Sequence, residues 1–477
     1  MYYKKIIYIT VLVIFSSQVF ADSWRPNQVG SFLSSKIARS MTDIENSAYF
    51  AEYSYNRNPD SFALGAIALE ALIANGQIIE ALPIGLKISK NMPEITLAQY
   101  ISMIDSLNAN SYSKVLDVLL NISPNGIDNF ILPILQTWAA AGSNKELGGL
   151  EIMKGQANRG VLDPLYDYQS ALIYEFIGDI ENAHISYKNI IKRSNNANAH
   201  VYSRAAIFFA NNNLPDLYSE TLNKLETIDP YSNELFILKK NENYAKETKI
   251  SNIKQGISEV FLNSAEILFN EGLDRQALIY AQISSYLEPK SDSANYLLGR
   301  IFKSINNNER AIKYFKKVNE YSLVIHDANI AYAETLYDIE GLPNSKEFLN
   351  NMKKSFPDNI NYLRTMAELF YKTDDFESSI QYYDLIFEKI DKIEFKHWPL
   401  FYSSGIALER GKNWERAEKQ FLTALKFVPN NPQVLNYLGY SWIDQGVNIN
   451  RALEMIVNAA EQRPDDGYII DSLGWAY

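Results

Sequence analysis

The chain has 477 residues, no cysteine, 47% hydrophobic and 21% charged residues, and a formal net charge of −11. This apolar content argues for a packed core throughout and against bulk disorder, and the missing cysteine excludes a disulfide frame, a thiolate metal site, a thiol nucleophile and a lipid-bearing cysteine. The acidic balance, with no Lys/Arg stripe between aromatics, argues against nucleic-acid binding.

The first element is a leader. Lys4 and Lys5 precede a 16-residue stretch without charge that ends in Val19-Phe20-Ala21. The pattern predicts a signal peptide over residues 1–21, cleaved before Asp22; the stretch is short for a spanning helix, which needs about 20 residues. No later apolar run reaches spanning length. The mature chain is therefore expected to be exported, periplasmic and without a membrane span, or tethered if the leader is retained. Removing Lys4 and Lys5 leaves 43 basic against 56 acidic residues, a balance of −13.

Residues 22–232 then read as a degenerate series of helix pairs. Pro59 closes one pair behind Ser35, Ser47 and Ala51, and Pro93 closes the next behind Gly76, Ala81, Gly85 and Ile88. Residues 96–160 keep helical spacing with poor consensus, "LPILQTWAAAG" being one clear helix. Ala171, Gly178, Ala183, Tyr187 and Ile190 mark another pair, and Ala206, Leu222, Leu225 and Pro230 one more. Between Pro230 and Ile257 the rhythm breaks, with the mixed-charge run "KKNENYAKETK". Residues 233–257 are expected to form a single extra helix or an extended crossing segment, a candidate hinge; they lack the Gly/Ser/Pro content of a loose linker.

From residue 258 a period is plain. Ala265, Gly299, Ala333 and Ala367 recur at intervals of 34, and Gly405, Gly439 and Gly474 follow at 38, 34 and 35. Twelve residues further stands a second small residue, Ala277, Ala311, Ser345, Ser379 or Ala417; after Gly439 it is Ala452, thirteen away, one residue being inserted in the turn. A packing residue follows four later (Ala281, Phe315, Leu349, Tyr383, Phe421, Ile456), and Pro289, Pro357, Pro429 and Pro464 close units. Such a period, built of two helix-spaced blocks, predicts antiparallel helix pairs: small residues permit close approach, bulky ones fill the space, and Pro stops the second helix.

These residues resemble the tetratricopeptide repeat (TPR). The unit starting at Trp398 matches at Gly405, Leu408, Ala417, Phe421, Ala424 and Pro429, and the units at 258–291, 292–325, 326–359 and 360–393 match in the same register. About eleven units cover residues 28–477. The resemblance implies an all-α fold, an α-solenoid coiled as a right-handed superhelix, with a degenerate array at 22–232, a junction at 233–257 and a second array at 258–477. "LGYSW" and "LGWAY" are the same phrase in successive first helices. The last unit lacks its second helix, so the sequence is expected to be a fragment of a longer chain. The leader, "GSFLSSKIARSMTDIENSAYFAEYSYNRNPD", "KQGISEVF" and the segment from Phe401 to Tyr477 are also similar to exported TPR proteins of alphaproteobacterial type, relatives of envelope TPR adaptors. That likeness implies protein–protein adaptor work.

No catalytic constellation stands out. His184, His200, His326 and His397 are scattered, without HExxH or His-x-His spacing, and no GxSxG, GxxxxGK[ST] or GxGxxG occurs. Asp465-Asp466 reads as a turn and helix start rather than a cation site. No catalytic residue, cofactor or metal is expected. In this type of repeat, positions two, five, nine and twelve of each first helix line the inner groove, which places Arg364, Glu368, Tyr371, Tyr402, Ile406, Glu409, Asn436, Tyr440 and Ile443 there. Tyr and Arg dominate binding hot spots. The sequence thus reads as a non-catalytic scaffold of the cell envelope that clasps a protein or peptide segment. The alternatives are the N-terminal repeat region of a larger envelope enzyme and a membrane-tethered assembly factor.

Overall fold

The computed structural model describes residues 27–123, 126–143, 163–193, 199–229, 231–240, 249–357 and 359–477. The leader expected at 1–21, Pro230 and residues 241–248 of the charged run lie outside them.

Among the described residues the chain is all-α, without a strand. In chain order the helices are α1 (Gln28–Ser40), α2 (Ile44–Arg57), α3 (Phe62–Ala74), α4 (Ile78–Asn91), α5 (Thr96–Asn108), α6 (Tyr112–Leu120), α7 (Asp128–Gly142), α8 (Asp163–Ile177) and α9 (Ile180–Arg193). Then come α10 (Ala199–Asn211), α11 (Pro215–Ile228), α12 (Asn233–Lys240), α13 (Ile253–Asn270), α14 (Asp274–Leu287), α15 (Asp292–Ser304), α16 (Asn308–Phe315), α17 (Ile325–Glu340) and α18 (Leu342–Ser355). The series ends with α19 (Ile360–Lys372), α20 (Phe376–Glu388), a 3₁₀ turn (Phe395–His397), α21 (Trp398–Arg410), α22 (Trp414–Phe427), α23 (Pro432–Asp444), α24 (Ile449–Gln462) and α25 (Gly467–Ala476). None of these is long and apolar enough to cross a membrane.

The hairpin turn explains the period. Thr42, Gly76, Asn110, Gly178, Asn213, Gly272, Asn306, Asp374 and Lys412 all have positive φ, and each sits two residues before a second helix begins. The next N–H closes the first helix by reaching back five residues, as in Asp375 to Phe370 O at 3.0 Å and Asn413 to Leu408 O at 2.8 Å. In the hairpin after Gly439 a second left-handed residue, Asn448, follows Gly446, which accommodates the inserted residue. First helices begin on side-chain caps: Ser291 Oγ accepts the Ala294 N–H, Asn431 Oδ1 those of Gln433 and Val434, and Asp466 Oδ1 those of Tyr468 and Ile469.

The small residues do what the spacing predicted. A Cβ on Gly405 would lie 2.6 Å from the Phe421 ring, and one on Gly439 2.8 Å from Ile456. Ala265, Ala333, Ala367, Ala417 and Ala452 are fully buried. Ser345 Oγ even donates across the hairpin to Ala333 O at 2.7 Å. At Gly474 an added Cβ meets nothing.

The chain forms two compact units, residues 1–193 with 249–305 and residues 194–248 with 306–477. The arrays anticipated at 22–232 and 258–477 are thus interleaved. In the first unit, α1–α2, α3–α4, α5–α6, α8–α9 and α13–α14 pair as hairpins and α7 packs on α6 and α8. In the second, α10–α11, α17–α18, α19–α20, α21–α22 and α23–α24 pair, successive hairpins pack on one another, and α25 caps α24. The extra helix expected in the junction is α12, and α13 starts at Ile253, ahead of the expected array start.

Candidate partner-binding face

In the first unit the inner face, made by first helices, is occupied by the chain itself. α13 packs on α7 and α8, and α14 packs on α3. Arg275 Nε reaches Glu70 at 2.9 Å, and Gln282 Nε2 donates to Ala74 O at 3.4 Å. Tyr100 and Tyr280 both donate to Asp128 Oδ1 at 2.6 Å, so three helices meet on one buried carboxylate. Burial raises the Asp128 pKa, against the pull of its two phenol donors. Farther along, Trp138 Nε1 donates to Gln169 Oε1 at 3.0 Å and Gln169 Nε2 to Asn263 Oδ1 at 2.9 Å. Gly256 lets the two backbones approach there: a Cβ on it would stand 2.4 Å from the Trp138 ring. Asp128, Gln169 and Asn263 thus find their partners within the unit, as burial of such groups favours, while Thr96 Oγ1 and Asn295 Oδ1 of the same unit are buried without one.

In the second unit the inner face is only partly covered. Asn233 Nδ2 donates to Asp327 Oδ1 at 2.8 Å, and Asn233 Oδ1 accepts from Asn359 and Asn361 at 2.8 and 3.0 Å. These bonds dock α12 on α17 and the start of α19. The Tyr231 ring lies 5.8 Å from the Arg364 guanidinium and 6.2 Å from the His397 ring.

Past Tyr231 the face continues over α19, α21 and α23, where all nine anticipated residues lie. Glu368 and Tyr440 are exposed; Arg364, Tyr371, Tyr402, Ile406, Glu409, Asn436 and Ile443 are half-buried, and none is fully buried. Arg364 Nε stands 3.8 Å from Glu368 Oε1, a pairing one helical turn apart. The Glu368 carboxyl is nonetheless pushed up: desolvation by the surrounding helices and the like charge of Glu334 outweigh Arg364 and Lys372. The Asn436 Oδ1 atom is buried on the same face with no hydrogen-bond partner.

The tyrosines divide. Tyr440 is 39% exposed, whereas Tyr402 packs its ring 6.2 Å from Phe421 and 6.1 Å from Tyr437. Burial, then the neighbouring Tyr371, pushes the Tyr402 pKa up to about 12. Tyr402 is therefore half groove and half core, as are Ile406 and Ile443, which pack against the Leu438/Trp442 cluster. Tyr437, which the position rule passed over, donates to Glu409 Oε2 at 3.3 Å and packs its ring, tilted, 5.3 Å from that of Phe421. Tyr231 is the other group the sequence hid; only its distance from the array in the chain concealed it. Among the described residues no group of three His, Cys, Asp or Glu could hold a metal ion.

Residues 292–323 match the family model for the tetratricopeptide repeat. A curated relative, TPR repeat-containing protein PA4667 of Pseudomonas aeruginosa, is 25% identical over 189 residues, 39% of this chain and 30% of the relative. The chain thus spans about a third of that protein's length. Among solved structures, yeast Tom70 aligns over 94% of both chains at 13% identity with a TM-score of 0.42. A tetratricopeptide repeat protein from Parabacteroides merdae aligns over 58% of this chain and 98% of its own at 11% identity, with a TM-score of 0.37.

Proposed function

We propose that this chain is a non-catalytic interaction scaffold that holds a segment of another protein on the inner face of α19, α21 and α23. The observation that carries the reading is the contrast in cover: the corresponding face of the first unit is filled by α13 and α14, while here Arg364, Glu368 and Tyr440 remain accessible beside half-buried tyrosines. Rigid aromatics and Arg in a preformed concavity are what peptide recognition uses, because little side-chain entropy is lost on binding. Asn436 Oδ1, a buried acceptor without a donor, suits an amide N–H of the incoming segment. The leader at residues 1–21 supports an exported, periplasmic setting for this work.

The test is site-specific photocrosslinking in the native host. A photoreactive side chain at Tyr440 should capture one discrete partner, and the same group at exposed Glu454, on the second helix α24, should capture none. Equal capture from both positions, or capture from Glu454 alone, contradicts the assignment of the face.

A further inference from the structure

A second concavity lies in the second unit, beside the start of the inner face that α12 and Tyr231 cover. It encloses about 350 Å3 between α11 and α12 on one side and the start of α19 and residues 389–397 on the other. Lys239, Lys389, Lys392 and Lys396 ring it, against the carboxylates Glu226, Asp391 and Glu394. Glu226 is engaged by Lys239 and Lys396 at 2.7 Å each, and Glu394 by Lys396 at 3.4 Å and Lys392 at 3.8 Å. Lys389 has no ion pair among the described residues. His397 is buried and held neutral, its pKa lowered by desolvation and then by Lys396; its Nδ1 accepts the Glu394 N–H at 2.8 Å and fixes the turn that presents Lys396.

Three features of this cavity specify a ligand. The N-terminus of the 13-residue α19 opens into it, adding the positive end of a helix dipole to the lysines, so the ligand carries a negative group there. Leu235, Phe236, Ile360 and Ile390 form an apolar wall, which calls for hydrocarbon. Asn361, 4% exposed, lines the same cavity. Its amide donates to Tyr231 O at 2.7 Å and Asn233 Oδ1 at 3.0 Å, which fixes which atom is oxygen, and that Oδ1 has no partner. A buried acceptor in this state takes an N–H from whatever enters.

We propose that the cavity binds an amido-carboxylate: an N-acylated amino-acid unit whose amide N–H meets Asn361 Oδ1 while its carboxylate lies toward Lys389 and the start of α19. A peptide supplies this chemistry in two ways, through its terminal residue or through an internal acidic one.

The experiment is saturation-transfer NMR on the full chain with three probes: N-acetyl-leucine, N-acetyl-aspartic acid α-amide and N-acetyl-leucinamide. For ligands of this size the expected Kd of the acids is about 1 mM, with the uncharged leucinamide about tenfold weaker. Preference for N-acetyl-leucine assigns a chain terminus, and preference for the aspartyl probe an internal acidic residue. The substitution Lys389→Glu, at an exposed position, should weaken the acids about tenfold while leaving the melting curve in place. Equal binding of acid and amide, no transfer from either acid at about 10 mM, or acid binding unmoved by Lys389→Glu overturns the proposal.

Discussion

The two units use the same hairpin and end with opposite inner faces. In the first, α13 and α14 lie against the first helices, and buried side chains from different helices meet there, as Tyr100 and Tyr280 do on Asp128. In the second, α12 and Tyr231 cover only the beginning, and the nine positions on α19, α21 and α23 stay at the surface or half-buried. A repeat fold therefore does not by itself provide a binding groove. A groove is left where the chain supplies no helix of its own to fill it.

Disrupting the filled face of the first unit should have the largest effect. Trp138→Ala removes a fully buried indole at the α7–α13 contact and should destabilise the chain by about 4 kcal/mol in denaturant titrations. A loss near zero would mean that α13 does not pack there.

Next comes pH. His326 is 2% exposed, bonded to the Tyr362 hydroxyl at 2.6 Å, and burial, with Lys240 nearby, lowers its pKa to about 4. Because the folded pKa lies below the unfolded value of about 6.5, the unfolded state binds more protons between those limits. This contribution is present above about pH 6.5 and falls away as pH drops toward 4, by about 3 kcal/mol in total. His326→Gln should flatten that limb of the stability–pH curve in the second unit, and an unchanged limb would contradict a buried neutral imidazole.

Gly405→Ala should cost about 2 kcal/mol, because the Phe421 ring has to shift; the same change at Gly474, which lies inside a helix and meets nothing, should cost nothing and raise stability by about 0.5 kcal/mol. Tyr440→Ala separates binding from folding: partner capture should weaken about tenfold while stability moves within about 0.5 kcal/mol. Tyr402→Ala is the wrong probe for this purpose, since its ring also serves the core beside Phe421. The smallest effect is at the hairpin turn. Lys412 holds φ at 61°, which costs a side-chain-bearing residue, so Lys412→Gly should raise stability by about 0.5 kcal/mol.

Much of the hairpin was legible because it is written in size: Ala265, Gly405 and Phe421 stand where close approach and filling demand them. The turns were legible only at Gly76, Gly178 and Gly272; Thr42, Asn213 and Lys412 take the same backbone conformation without announcing it. The cover of the first unit's face was not legible at all. Gln169, Asn263 and Gln282 look like ordinary polar helix residues until partners roughly a hundred or more positions away are brought beside them. Helical spacing put the nine positions on α19, α21 and α23, yet spacing does not say how deep a side chain sits, so Tyr402 and Tyr440 looked alike.

Thiol labelling of single-cysteine variants tests the contrast most directly, since the chain has no cysteine of its own. A cysteine replacing Tyr440 should react with maleimide near the rate of a free thiol, and one replacing Gln169, which is fully buried, should be protected about a hundredfold or more. Comparable rates at the two positions would contradict a face closed in one unit and open in the other.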